Sequence, residues 1–127
     1  MRTYKNKSFA RFARHAGIPD AALCDAVLRA GRGQVDADLG GGVIKQRIAR
    51  AGGGRSGGFR AIVLFRREDR AFFVHGFAKN ERENLQRDEL RTLRRLAGEL
   101  FGLERMELEA MLANGTISEV NCDDKAI

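Results

Sequence analysis

Apolar residues recur with a helical period at both ends of the chain and with a period of two in its middle third. Near the N-terminus the helical spacing predicts two helices, the first ended by Gly17 and the second by Gly31, that form a hairpin. Near the C-terminus it predicts a long helix that Gly102 ends and a shorter one from about 104 to 113. Residues 2–6 could form a short first strand.

The pattern in the middle third predicts β-strands. Isoleucines alternate with Lys45 and Arg47 at its start, and two further apolar stretches follow, separated by a polar turn. A glycine-rich connection at 51–58 breaks the pattern between the first two strands. The segment therefore predicts a three-stranded antiparallel meander with strands at 44–50, 59–66 and 71–78.

These elements predict a single α+β domain over residues 1–127. The N-terminal helical hairpin packs on a small twisted antiparallel sheet, made of the meander and the short first strand, and the C-terminal helices follow. We expect residues 116–127 to form a loose tail, or to add a brief edge strand through Ile117 and Val120.

Composition indicates a globular protein that stays in the cytoplasm. Of the 127 residues, 43% are hydrophobic and 31% charged, and no apolar run approaches the roughly 20 residues that cross a bilayer. The N-terminus leads into no apolar signal core, so we expect neither export nor membrane attachment. Cys24 in a helical pattern and Cys122 in a polar tail are expected to be a buried thiol and a free thiol, without a disulfide.

Positive charge is concentrated in the middle of the chain. Residues 43–82 contain ten basic and three acidic residues, a net charge of +7, whereas the whole chain carries +6. A merely soluble surface would intersperse the two signs. The concentration therefore indicates that this segment binds a polyanion.

The absence of known catalytic motifs argues against several classes of enzyme. The chain lacks the phosphate-loop, HExxH, GxSxG and EF-hand patterns, so nucleotide hydrolysis, zinc proteolysis and serine hydrolysis have no motif, and we expect no metal or cofactor. RNA cleavage by attack of a 2′-hydroxyl on the adjacent phosphate needs only a base, cations around the phosphorane and an acid. The candidates for these roles are Lys45, Arg47, Arg50, Arg55, Arg60, His75 and Lys79.

Each candidate also has a structural interpretation. Basic residues on an open strand face are often only solvated, and His75, within an apolar strand, could equally be structural. Phe77 could stack on an RNA base, although packing is the commoner role of such a residue.

Three segments together resemble the RelE/HigB-like branch of the bacterial type II toxin–antitoxin toxins. They are the run from Gly40 to Arg50, the glycine-rich run from Arg55 to Arg60 and the closing strand from Ala71 to Glu81. The resemblance implies an α+β fold and an mRNA endoribonuclease, commonly acting in the ribosomal A site, that leaves a 2′,3′-cyclic phosphate. It also implies a cognate antitoxin, often with a helix-turn-helix.

By position, the resemblance implies that Lys45 and Arg47 hold the RNA backbone, that Arg60 stabilises the phosphate, that Lys79 is the basic residue ending the last strand, and that Arg50 and Arg55 position RNA. The catalytic candidates are thus Lys45, Arg47, Arg60, His75 and Lys79, and the RNA-binding candidates are Arg50, Arg55, Phe77 and Arg82. Many relatives have a tyrosine near the end of the last strand, where this chain has Phe77. Phenylalanine cannot transfer a proton, so His75 or Lys79 would have to do so. Two other functions remain open at this point, inhibition of DNA gyrase as in the ParE branch and RNA binding without cleavage.

Overall fold

The computed structural model describes residues 1–49, 58–78 and 85–122. Within them the chain forms six strands and four helices, in an α+β arrangement that confirms the predicted fold class. In chain order the elements are β1 (Arg2–Asn6), α1 (Lys7–Ala16), α2 (Asp20–Gly31), β2 (Ala37–Gly40), β3 (Val43–Ile48), β4 (Phe59–Arg66), β5 (Arg70–Ala78), α3 (Arg87–Phe101), α4 (Arg105–Ala113) and β6 (Ile117–Val120).

The strands form one sheet in the order β2-β3-β4-β5-β1-β6. The predicted antiparallel meander is confirmed as β3, β4 and β5. The prediction of an all-antiparallel sheet was wrong at one place, because β1 pairs with β5 in parallel. The sheet also gains β2, which the sequence pattern did not predict, and β6, which corresponds to the edge strand through Ile117 and Val120.

Helices cover both faces of this sheet. Ala61 and Val63 of β4 pack in a first core with residues of α1 and α2. Ile62 and Leu64 point the other way and pack in a second core with residues of α3 and α4. A strand that is buried on both faces needs apolar residues at nearly every position, which explains the continuous apolar run of β4.

Local sequence signals set the helix ends. The side chain of Asn6 accepts a hydrogen bond from the backbone N–H of Phe9 at 2.8 Å, which caps α1, and Gly17 ends the helix in a left-handed conformation. α3 and α4 both begin with a capping box, in which Glu89 and Glu107 accept from the backbone N–H of the cap residue.

Two glycines allow close packing against the sheet. A Cβ atom at Gly42, in the turn before β3, would lie 2.6 Å from the Phe101 ring of α3, and the backbone φ there is +87°. A Cβ atom at Gly76 in β5 would lie 2.3 Å from the Phe12 ring of α1. Larger residues at these positions would push both helical layers away from the sheet.

The two cysteines form a disulfide, which corrects the prediction of two free thiols. Cys24 of α2 is bonded to Cys122, just beyond β6, 98 residues later in the chain. A second contact fixes the same two segments, because Asp20 accepts a hydrogen bond from the backbone N–H of Asn121 at 2.9 Å. The prediction failed because the proximity of the cysteines depends on the pairing of β6 with β1, which the sequence left open.

Candidate active site

The register of the meander places five of the predicted site residues on one face of the sheet. Directly opposed residues of antiparallel strands project from the same face. From β3 across β4 to β5, the opposed residues form two rows, Arg47–Arg60–Phe77 and Lys45–Ile62–His75. Both rows lie on the side of the second core, to which Ile62 and Phe77 belong. We call the surface formed by Lys45, Arg47, Arg60 and His75 the cationic face.

One carboxylate joins two cations of this face. Asp36 Oδ2 lies 3.3 Å from Arg60 Nε and 3.8 Å from Lys45 Nζ. The Arg60 side chain is only 13% exposed, whereas that of Asp36 is 31% exposed, so the contact is sheltered on the arginine side and open to solvent on the carboxylate side. The structure thus brings Lys45 and Arg60 together, around an acidic residue that the sequence analysis did not single out.

Asp36, which directly precedes β2, is held by residues of β3. Its backbone N–H donates to the Lys45 carbonyl at 3.1 Å and to Gln46 Oε1 at 3.2 Å. Gln46 is 2% exposed and donates in turn to the carbonyls of Ala26 at 2.8 Å and Gln34 at 3.1 Å. This buried amide joins the middle of α2 and the loop after the helix to β3, and so fixes where the Asp36 carboxylate lies.

A change of register turns His75 toward the cationic face. Ile62 pairs with His75 but Val63 pairs with Phe73, so Val74 is an extra residue in β5. If β5 ran on from Phe73 without this irregularity, Ile62 would pair with Val74, and His75 would point into the first core as Phe73 does. Asn6, the cap of α1, donates to the Val74 carbonyl at 3.2 Å and supports this irregular position.

Arg47 and His75 are the accessible members of the face. Both are exposed, and neither side chain forms an ion pair or hydrogen bond with another residue in the described part of the chain. The His75 ring stacks beside Phe77, with ring centroids 5.8 Å apart. The imidazole nitrogens are therefore accessible to a ligand that lies across the strands.

Phe77 is a packing residue. It is 5% exposed and belongs to the second core, so its ring has no open face on which a base could stack, and its predicted RNA contact is corrected accordingly. The single tyrosine of the chain, Tyr4, is 1% exposed and stacks on Phe72 in the same core. Tyr4 is therefore not accessible to a substrate on the cationic face.

Four predicted site residues lie outside the described residues. They are Arg50, Arg55, Lys79 and Arg82. Their roles stay predictions.

Other arginines of the basic segment have structural partners. Arg70 donates to the carbonyls of Leu100 at 3.0 Å and Leu103 at 2.9 Å, and Arg66 donates to the Phe101 carbonyl at 2.9 Å. Asp69 pairs with both arginines, at 2.6 Å from Arg66 and 3.2 Å from Arg70. These contacts satisfy carbonyls at the C-terminal end of α3, which has no basic residue of its own in its last turn.

A cavity of about 980 Å³ beside the Cys24–Cys122 disulfide is lined by Met1, Leu28 and others, but by no residue of the cationic face.

Within residues 1–49, 58–78 and 85–122, no group of three or more His, Cys, Asp or Glu residues could hold a metal ion. Every helix in that part of the chain is too short or too polar to cross a lipid bilayer.

Comparison with known proteins gives one family. Residues 1–120 match the family described as the RelE toxin of the RelE/RelB toxin–antitoxin system. No curated protein sequence matches the chain. The match spans the sheet, the cationic face and all four helices.

Proposed function

The chain belongs to the RelE family of toxins from toxin–antitoxin systems, and from that premise we propose that it is a metal-independent endoribonuclease that cuts mRNA. The observation that carries the proposal is the meeting of Lys45 and Arg60 at Asp36, on a sheet face from which Arg47 and His75 also project. Arginine binds two phosphate oxygens with its planar donors and keeps its charge, so the face suits a phosphodiester.

The reaction divides among these side chains. The 2′-hydroxyl of one nucleotide attacks the adjacent phosphorus, and the bond from phosphorus to the 5′ oxygen breaks. A base accepts the hydroxyl proton, and an acid protonates the leaving oxygen. The products are a 2′,3′-cyclic phosphate and a 5′-hydroxyl end.

Arg60 stabilises the phosphorane in this proposal. Its side chain is largely buried and already holds an oxygen-bearing partner, the Asp36 carboxylate, at hydrogen-bonding distance. Cations that are fixed before the reaction need little reorganisation as negative charge develops on the phosphate. Asp36 is a positioning residue, because it fixes the directions of Arg60 and Lys45 before RNA binds.

His75 exchanges protons and Arg47 binds the RNA backbone. His75 stands in the same cross-strand row as Lys45, two strand spacings or roughly 10 Å away, which leaves room for a phosphate between them. An imidazole nitrogen can accept a proton and, once protonated, donate it, as a general base and acid must. Lys79, which follows β5 in the sequence, is the second proposed proton-transfer group.

The proposed substrate is mRNA in the ribosome, and the proposed regulator is a cognate antitoxin. The family consists of toxins that are paired with antitoxins. The net charge of +7 over residues 43–82 favours attraction to RNA over inhibition of a protein target, which would not require so many phosphate ligands.

The test is cleavage of RNA by the purified full-length chain, with and without ribosomes, followed by mapping of the new ends. We expect 5′-hydroxyl ends and loss of cleavage at any site where the attacking nucleotide carries 2′-hydrogen instead of 2′-hydroxyl. Cleavage of that deoxy substrate would exclude the proposed reaction. Growth arrest with DNA damage and intact mRNA would indicate gyrase inhibition instead, and salt-sensitive binding without cleavage would indicate an RNA-binding module.

A further inference from the structure

A second cationic surface lies on α1, on the other side of the sheet from the cationic face. Lys7, Arg11 and Arg14 are exposed and spaced four and three residues apart, which puts them on one side of the helix. α1 packs on the first core through Phe9 and Ala13, whereas the cationic face lies on the side of the second core. The two surfaces are therefore separate.

These three side chains form one wall of a cleft. The cleft has a volume of about 250 Å³, and its opposite wall includes Gly115 and the exposed Ser118 of β6. This volume is below the range of about 300–1,000 Å³ that is usual for pockets holding drug-sized ligands. Its size and its cations suit a sugar-phosphate unit rather than an apolar cofactor.

The acids near the cleft have other partners. Asp20 binds Lys5 at 3.2 Å, and Glu119, the neighbour of Ser118, lies on the opposite side of β6 and binds Arg2 at 2.7 Å. Among the described residues, Lys7, Arg11 and Arg14 form no ion pair, and α1 has no acid in its first turn. The charge of this cleft is thus available to an external anion.

We propose that this cleft is a second RNA site, which binds the phosphate backbone of a strand outside the cationic face. At a rise of about 1.5 Å per residue, the three cations span about 10 Å along α1, which is longer than one compact anion. A row of this kind follows successive phosphates of a chain, and the Ser118 hydroxyl can donate to a phosphate oxygen. The site anchors RNA and takes no part in the reaction.

The experiment measures the salt dependence of RNA binding by the full-length protein. The probe is a short single-stranded RNA with every 2′-hydroxyl methylated, so that it binds without being cut. The test variant is Lys7→Gln/Arg11→Gln/Arg14→Gln. The matched control is Arg32→Gln/Arg67→Gln/Arg105→Gln, which removes three exposed charges that lie apart from both surfaces. Glutamine is a good helix former, and thermal unfolding checks that both variants are folded.

We expect the slope of log K against log salt to fall by about 2 in the test variant, because each lost phosphate contact contributes about 0.7 for a single strand. Affinity at moderate salt should fall by roughly tenfold to a hundredfold. The control should keep the slope of the unsubstituted protein. If the slope fell equally in both variants, the effect would come from net charge alone and the proposal would be wrong. An unchanged slope in the test variant would also overturn the proposal.

Two further readouts separate this proposal from others. The single-turnover cleavage rate at saturating RNA should be unchanged in the test variant, and binding reports on the cleft even if the protein cleaves nothing. If polyglutamate binding depended on the three cations while RNA affinity did not, the cleft would belong to an acidic protein partner and the RNA proposal would be wrong.

Discussion

The two ends of the β3–β4–β5 meander carry arginines in the same sheet but in different surroundings. At the end toward the β4–β5 turn, Arg70 donates to two main-chain carbonyls at the C-terminal end of α3 and just beyond it, and pairs with Asp69. At the opposite end, Arg60 meets the carboxylate of Asp36 beside Lys45, and Arg47 is exposed. One end joins a helix to the sheet, whereas the other presents charge on an open face.

The difference shows that the net charge of a segment overstates how many of its basic side chains are available to bind a phosphate. Carbonyl groups that need donors engage Arg66 and Arg70, and a phosphate would have to displace those contacts. Asp36 is a weaker competitor, because it is a single carboxylate that an incoming phosphate can replace with the same kind of contact. The comparison predicts that substitutions at the two ends separate activity from stability.

The largest effect is expected for Arg60→Ala. Loss of a fixed donor to the phosphorane should lower the single-turnover rate of RNA cleavage by about 10²–10³-fold. Arg67→Ala removes the same charge from an exposed position in the β4–β5 turn and should leave the rate unchanged. Arg60→Lys should recover only part of the activity, because an ammonium group lacks the planar pair of donors. Equal rates for the two alanine variants would contradict the assignment of Arg60.

Removal of the disulfide calibrates stability without touching either end of the meander. The bond closes a segment of 98 residues, and native disulfides stabilise folded domains by about 2–4 kcal/mol. Cys24→Ser/Cys122→Ser should therefore lower the free energy of urea unfolding by about that amount, and dithiothreitol should do the same to the unsubstituted protein. Cleavage below the unfolding transition should persist, and its loss would show that stability and activity are coupled.

Arg70→Ala should affect stability next most strongly. Arg70 is 17% exposed and makes two hydrogen bonds to carbonyls near the end of α3, so its loss leaves both carbonyls without this donor. We expect the free energy of unfolding to fall by about 2 kcal/mol, measured in urea. Cleavage by the folded fraction should be unchanged. A lost rate with retained stability would place the active site at this end of the meander.

The sequence was sufficient for much of the fold. The change of apolar period correctly predicted the two N-terminal helices, the meander and the two C-terminal helices, because each of these depends on local spacing. The parallel pairing of β1 with β5 was not predictable in this way, since alternation shows which residues of a strand are buried but not which strand lies beside it. The disulfide was missed for the same reason.

The candidate site was predicted in part. Alternation placed Lys45 and Arg47 on one face of their strand, and the strand register adds Arg60 to that face. Asp36 was missed because it lies in a short polar stretch without periodicity, and its position depends on the buried amide of Gln46. Sequence alone also could not show that the ring of Phe77 is buried, because this depends on how α3 and α4 pack with that face of the sheet in the second core.

Asp36→Asn should have opposite effects on RNA binding and cleavage. Removing the negative charge between Lys45 and Arg60 should raise the affinity for uncleavable RNA severalfold, equivalent to about 1 kcal/mol, because the phosphate no longer competes with a carboxylate. The cleavage rate should fall because neither cation is held in position. Binding isotherms and single-turnover kinetics would measure the two effects. A lower affinity would show that Asp36 supports RNA binding directly.

The smallest effect is expected for an ion pair between an arginine and a glutamate that lies at neither end of the meander. Arg2 of β1 contacts Glu119 of β6 at 2.7 Å, and the side chains are 42% and 40% exposed. The hydrogen bond from Arg2 holds the pKa of Glu119 below its usual range. A carboxylate with a lowered pKa stabilises the fold at neutral pH, and this contribution is lost as the pH falls through the pKa of the folded state. Because solvent screens the pair, Glu119→Gln should lower the free energy of unfolding by only about 0.5 kcal/mol at neutral pH, and by nothing once Glu119 is protonated. Urea unfolding of the unsubstituted protein and of Glu119→Gln, at neutral and at strongly acidic pH, measures this difference. If Glu119→Gln lowered the free energy of unfolding as much as Arg70→Ala, an exposed carboxylate would hold an arginine as firmly as the carbonyls near the end of α3 do.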